Sequence, residues 1–170
     1  MPGIGDVIIR LATDDDLNRI FEIWLQGTGD VFTGDDLKNA KRKFESNFYC
    51  RNGIFNFWVA EDKSGVIQGW QSLLPCSNNP LRHNKMAESS TYLSEEFKFK
   101  GIGKLLLHTA ISEAEKSDLE YIIGYVSENN SASLKLTQEA GWNRLGLLPA
   151  SQKTKGSPNK FIMVKVVKPF

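Results

Sequence analysis

The chain has 170 residues, 41% hydrophobic and 24% charged, with a formal net charge of +1. That length suits one domain over residues 1–170 with a sizeable core, and the near-neutral balance implies no broad face for nucleic acid. Two cysteines (Cys50, Cys76) and two histidines in no ligand spacing argue against a metal site, and no apolar run approaches the roughly 20 residues that cross a bilayer.

Val7 to Leu11 is predicted as a short apolar strand. Thr13 before Asp14, Asp15 and Asp16 reads as an N-cap with acid in the first turn. Leu17, Ile20, Phe21 and Trp24 then form a helix face, ended by Gly27 and Gly29. A second helix starts at Gly34, with Leu37, Ala40, Phe44 and Phe48 inward. Phe55 to Glu61 and Val66 to Leu74 are strands around a turn at Asp62-Lys63-Ser64-Gly65. Pro75 ends the second, and Cys76 to Lys85 is a polar loop whose chemically versatile members are Arg82 and His83.

Glu88 to Leu107 is the most informative stretch. Glu88, Ser90 and Tyr92 alternate with Ser89, Thr91 and Leu93, so each set shares one face of a strand. Lys98, Lys100, Gly101, Gly103 and Lys104 follow as a basic glycine loop. Ile102, Leu105, Leu106, Ala110, Ile111 and Ala114 then recur at helical spacing. Glycines let backbone amides approach a ligand closely, and a helix beginning there presents free N–H groups and a positive dipole end. A phosphate or diphosphate suits that arrangement. A Walker A loop would need Gly where Lys98 stands and Ser or Thr where Leu105 stands. The dinucleotide fingerprint would need a third glycine at Leu106.

Beyond the loop helix, Tyr121 to Val126 is continuously apolar, which predicts a strand buried on both faces. Ser127 to Asn130 is a turn, Ser131 to Ala140 a helix capped by Gly141, and Trp142–Leu148 and Phe161–Val167 the last strands. The polar segment 149–160, with a lysine cluster at 153–160, reads as a solvated loop. Strands alternating with helices around one sheet make an α/β sandwich.

Lys98-Phe99-Lys100-Gly101-Ile102-Gly103 resembles the Arg/Gln-x-x-Gly-x-Gly/Ala signature of the GNAT superfamily of acyl-CoA-dependent N-acyltransferases, with Lys98 departing from the usual Arg or Gln. Glu88-x-Ser90-x-Tyr92 is similar to the phosphinothricin acetyltransferase-like branch. So are Asn130-Ser131-Ala132-Ser133 with Leu136 and Gly141-Trp142, and the opening Ile9 to Thr13 with Asp16 and Ile20. The resemblance implies an α/β, GNAT-like mixed sheet, mostly antiparallel, of about seven strands flanked by about four helices. It implies acetyl-CoA as co-substrate without a metal, and a small-molecule amine as acceptor. No nucleic-acid or membrane partner is implied, and homodimerisation stays open. With no basic-then-apolar leader, a cytoplasmic, reducing setting is expected.

The same resemblance distributes roles. Glu88 is the general base. A backbone N–H around Leu93 faces the thioester oxygen, and Leu93 and Ser94 pair with the pantetheine arm, with Tyr92 beside them. The amides of Lys98, Phe99, Lys100, Gly101, Ile102, Gly103 and Lys104 hold the diphosphate. Asn130 bonds the pantetheine side and Ser133 lines the same slot, although N-capping also explains Asn130. Thr137 stands where relatives place a Tyr or His to protonate the leaving thiolate, which leaves that task to Tyr125 or solvent, or lets the thiolate depart unaided, as a tolerable leaving group can. Thr28, Asp30 and Phe32 are candidates for the acceptor side, although a plain loop role explains each of them better, and His83 and Met86 replace the branch's usual Tyr and Thr. Two alternatives remain: another acceptor (aminoglycoside, polyamine or peptide amine), or a non-catalytic acyl-CoA-binding module.

Overall fold

The computed structural model describes residues 6–29, 31–98, 101–151 and 156–168. Its strands are β1 (Val7–Leu11), β2 (Phe57–Asp62), β3 (Ile67–Pro75), β4 (Met86–Leu93), β5 (Tyr121–Ser127), β6 (Asn143–Leu148) and β7 (Lys160–Val166). Its helices are α1 (Leu17–Thr28), α2 (Gly34–Tyr49), α3 (Ile102–Glu115) and α4 (Ser131–Glu139). The strands follow the order β1-β2-β3-β4-β5-β7-β6. The β1–β2, β2–β3, β5–β7 and β6–β7 ladders are antiparallel, and β4–β5 is parallel. This is the mixed, mostly antiparallel α/β architecture expected from the sequence.

The chain divides into two compact units, Met1–Leu74 with Ser90–Glu113, and Pro75–Ser89 with Ala114–Phe170. The core of the first gathers Ile20, Ile23, Phe48, Phe57, Val59 and Trp70, all buried. Aromatic rings dominate it: Phe44 lies 5.9 Å from Trp70, and Phe48 lies 5.2 Å from Phe57. The Trp70 indole N–H donates to the Ile20 carbonyl at 3.0 Å, which ties β3 to α1 and satisfies a buried donor. The entry to α1 follows its local chemistry. Thr13 caps a 3-10 turn at Asp14–Asp16, and Asp16 accepts from the Thr13 N–H at 2.7 Å while pairing with Arg10 at 2.7 Å. Arg10 also bonds Glu61 on β2.

The second unit packs Ala87, Leu119, Ile122, Val126, Trp142 and Met163. The apolar run of β5 does not give burial on both faces. Ile122, Gly124 and Val126 are buried, whereas Tyr121 and Ile123 are half-buried and Tyr125 is 44% exposed. Trp142 covers Gly124 on the buried face, since a Cβ there would stand 3.2 Å from its ring.

Candidate active site

Strand β4 carries the first candidate. Glu88 is half-buried, and that burial pushes its carboxyl above the ordinary glutamate range, against the opposing pull of the Lys160 ammonium. The Cys76 thiol is raised too, first by its own burial and then by the Glu88 charge. In the parallel ladder Glu88 is in register with Ile123, so the two share a face. Period two adds Tyr125 and Ser127 to that face, and Ser127 is in register with Lys160 of β7. Tyr125 is therefore an exposed hydroxyl on the side of the sheet that carries Glu88.

The far end of β4 is seated between two glycines. The Tyr92 ring stacks on Trp70 at 5.0 Å and lies against Gly27 of α1, where a Cβ would stand 2.4 Å from Cδ1 of the ring. On the other face a Cβ at Gly69 would stand 2.5 Å from a Leu93 methyl and 2.9 Å from the Tyr92 carbonyl oxygen. Ser94 is 2% exposed. Its N–H donates to the Gln68 carbonyl and its own carbonyl accepts from Phe97 N–H, both at 2.9 Å. Backbone groups of successive strand residues point to opposite edges, so the N–H and C=O of Leu93 point away from β3. Of the two, Leu93 offers backbone bonds and Ser94 anchors the turn that follows.

That turn is a single 3-10 turn, Glu95–Phe97, after which Lys98 is extended and its ammonium pairs with Glu95 at 2.5 Å. Phe99 and Lys100 lie outside the described residues. Gly101 has φ +80°, a region that side chains rarely adopt. The first backbone bond of α3 runs from Leu105 N–H to the Gly101 carbonyl at 3.2 Å. Gly101 carries no capping side chain, so the amides of Ile102, Gly103 and Lys104 open the helix without a carboxylate or hydroxyl from the N-cap. Uncapped amides at a positive dipole end fit an anionic diphosphate.

On α4, Asn130 accepts from Ser133 N–H at 3.1 Å, so it caps the helix. Ser133 is half-buried two positions into the helix. Thr137 is buried, and its hydroxyl lies 3.0 Å from the carbonyls of both Ser133 and Leu134. A hydroxyl bonded back into its own helix has no proton to spare for a leaving thiolate.

A family model described as Acetyltransferase (GNAT) domain matches residues 6–143. The chain belongs to the GNAT acetyltransferase family. This GNAT chain is 27% identical over 147 residues to the L-methionine sulfoximine/L-methionine sulfone acetyltransferase of Pseudomonas aeruginosa, covering 83% of each. It is 32% identical over 99 residues to YwnH of Bacillus subtilis (strain 168), a candidate phosphinothricin acetyltransferase, a match over 58% of this chain and 60% of that protein. Among solved structures it resembles the phosphinothricin acetyltransferase of Sinorhizobium meliloti in complex with AcCoA. There the TM-score is 0.77 with 23% identity over 95% of this chain and 88% of the other.

The Thr28 hydroxyl turns back to the Leu25 carbonyl at 3.4 Å, and Phe32 stacks on Trp24 at 5.5 Å. Asp30 lies outside the described residues. Arg82 and His83 are exposed in the 76–85 loop. Two features escaped the sequence. Lys160 belongs to the lysine cluster that reads as solvated loop, yet it opens β7 and acts on Glu88. Gly27 reads as a helix end, yet it lies inside α1 and seats Tyr92. Both depend on contacts distant in sequence; the only local hint was a glycine two residues before the Gly29 that actually ends the helix. Among the described residues no cluster of His, Cys, Asp and Glu could hold a metal, and no helix is long and apolar enough to cross a membrane.

Proposed function

We propose that this GNAT chain transfers an acetyl group from acetyl-CoA directly to the primary amine of a small amino-acid-like molecule. The observation that carries it is Glu88, a half-buried carboxylate with a raised pKa on the strand that ends at Leu93. A raised pKa makes a carboxylate a better base near neutrality. Similarity to an acetyltransferase of methionine sulfoximine and methionine sulfone supports the acceptor class.

Acetyl-CoA supplies the activated acetyl group. The acceptor ammonium must first lose a proton, and Glu88 receives it. Glu88 takes it directly or through a water. As the C–N bond forms and the C–S bond breaks, Leu93 N–H donates to the carbonyl oxygen, where negative charge gathers. The amides of Ile102, Gly103 and Lys104 hold the diphosphate at the start of α3, with Lys98 alongside. The backbone of Leu93 pairs with the pantetheine arm; Ser133 is the candidate for the same arm on α4, the helix that Asn130 caps. Tyr125 gives a proton to the departing thiolate and regains one, through water, from the nitrogen of the new amide, which thereby becomes neutral. The products are the acetamide and the free thiol.

A panel of amines scored for thiol release from acetyl-CoA tests this. Methionine sulfone or a phosphinothricin-type analogue is expected to be turned over faster than an aminoglycoside, a polyamine or a peptide amine. Preference for one of the latter contradicts the acceptor class. Coenzyme A binding without thiol release for any amine contradicts the enzyme assignment.

A further inference from the structure

Building on the assignment of the loop above, we propose that Glu95 sets the affinity for coenzyme A by competing with its diphosphate for Lys98. The two side chains form an ion pair at 2.5 Å, three residues apart across the 3-10 turn. The turn holds Glu95 in place. Ser94 beneath it is 2% exposed and bonded through N–H to Gln68 and through C=O to Phe97. Its hydroxyl also accepts from Arg19 of α1 at 3.4 Å. Lys98 is the cation that both anions can share. It leaves the turn in extended conformation (φ −63°, ψ 151°), and its flexible stem lets the ammonium exchange one anion for another.

Charge around the loop makes that exchange matter. From Ser94 to Lys104 the sequence sets Glu95 and Glu96 against Lys98, Lys100 and Lys104. An arriving diphosphate meets both carboxylates, and it gains Lys98 fully only when Glu95 releases it. A glutamine at 95 keeps the side chain's size and removes both the competition and the repulsion. Both groups are solvent-accessible, with side chains 39% and 60% exposed, so the effect is modest. The upper half of the range for exposed ion pairs corresponds to an affinity change of about two- to fivefold.

Calorimetric titration of coenzyme A into the wild type, Glu95→Gln, Lys98→Met and the double variant tests the proposal. In the wild-type background Glu95→Gln is expected to lower Kd two- to fivefold, an advantage that shrinks with added salt. In the Lys98→Met background the same change is expected to do much less, because the competed-for cation is gone. An equal gain in both backgrounds would overturn the proposal, as it would mark a general charge effect. Weaker binding in Glu95→Gln would also overturn it, since Glu95 would then be holding Lys98 ready for the ligand. Wild-type protein that takes up no coenzyme A would instead remove the loop assignment itself, and the proposal with it.

Discussion

Glu88 carries opposite consequences for activity and for stability. Burial raises its pKa, so the ionised form that the proposed proton transfer would need is the form the fold disfavours. In the unfolded chain the same carboxyl ionises near the ordinary value of 4.5. Stability is therefore fullest below that value and falls as pH rises through the folded-state pKa. Glutamine at 88 removes the charge, so Glu88→Gln is expected to melt higher than wild type at pH 7.5. The gap should close at pH 4, where both side chains are neutral. Thermal unfolding at the two pH values checks this; a lower Tm at pH 7.5 would mean that the carboxylate is stabilised by contacts rather than penalised by burial. The place of Glu88 on β4 was legible in the sequence because strand alternation shows there. That of its neighbour Lys160 was not, because the β5–β7 ladder brings Lys160 level with Ser127, and no local pattern encodes that register.

At the scale of elements, the end of β4 depends on what flanks it. Gly69 lies so close to the Tyr92 carbonyl and the Leu93 side chain that a methyl group has to displace backbone. Gly69→Ala is expected to destabilise by about 1–3 kcal/mol, in the range of overpacked cores. It should also raise the KM for acetyl-CoA, because Leu93 moves with the strand. Chemical denaturation with parallel kinetics reads both; unchanged stability would show that β4 yields without cost. The β2–β3 hairpin has its own anchor in Asp62. The Ser64 hydroxyl, the Val66 N–H, the Gln68 amide and the Ser64 N–H all donate to its carboxylate, lowering its pKa to about 2. A lowered pKa adds stability above the unfolded value of 3.8 that is lost as pH falls through about 2. Asp62→Ala should therefore lower Tm at pH 7, with the difference narrowing towards pH 2, as a pH series of melts would reveal. The turn itself was plain in Asp62-Lys63-Ser64-Gly65. β5 shows the opposite case: an apolar run says that a strand can be buried, not that something covers both its faces.

For the whole molecule, the secondary structure was readable because its punctuation is local. Thr13 with three aspartates opens the first helical segment, Gly29 and Gly141 take left-handed conformations at helix ends, and Pro75 closes β3. Strand order was less accessible. β7 lies between β5 and β6, and the hydrophobic pattern of Phe161 to Val167 fits an edge position as well as an interior one. In the candidate site, what depends on local backbone conformation was legible, as in the positive φ of Gly101. What distant side chains make was not, as at Gly27 and Tyr92 or Glu95 and Lys98, where only the structure supplies the pairing.

The claim on which the enzymatic account turns is that Glu88 receives the acceptor's proton, and its most direct test is the pH dependence of kcat for wild type and Glu88→Gln with a methionine-sulfone-type amine. The wild-type rate should rise with pH through a pKa above the ordinary glutamate value. Glu88→Gln should fall by about 10²-fold or more near neutrality, bind coenzyme A as before, and recover at alkaline pH as the free amine loses its own proton. A Glu88→Gln enzyme that keeps the wild-type rate and pH profile would contradict the account.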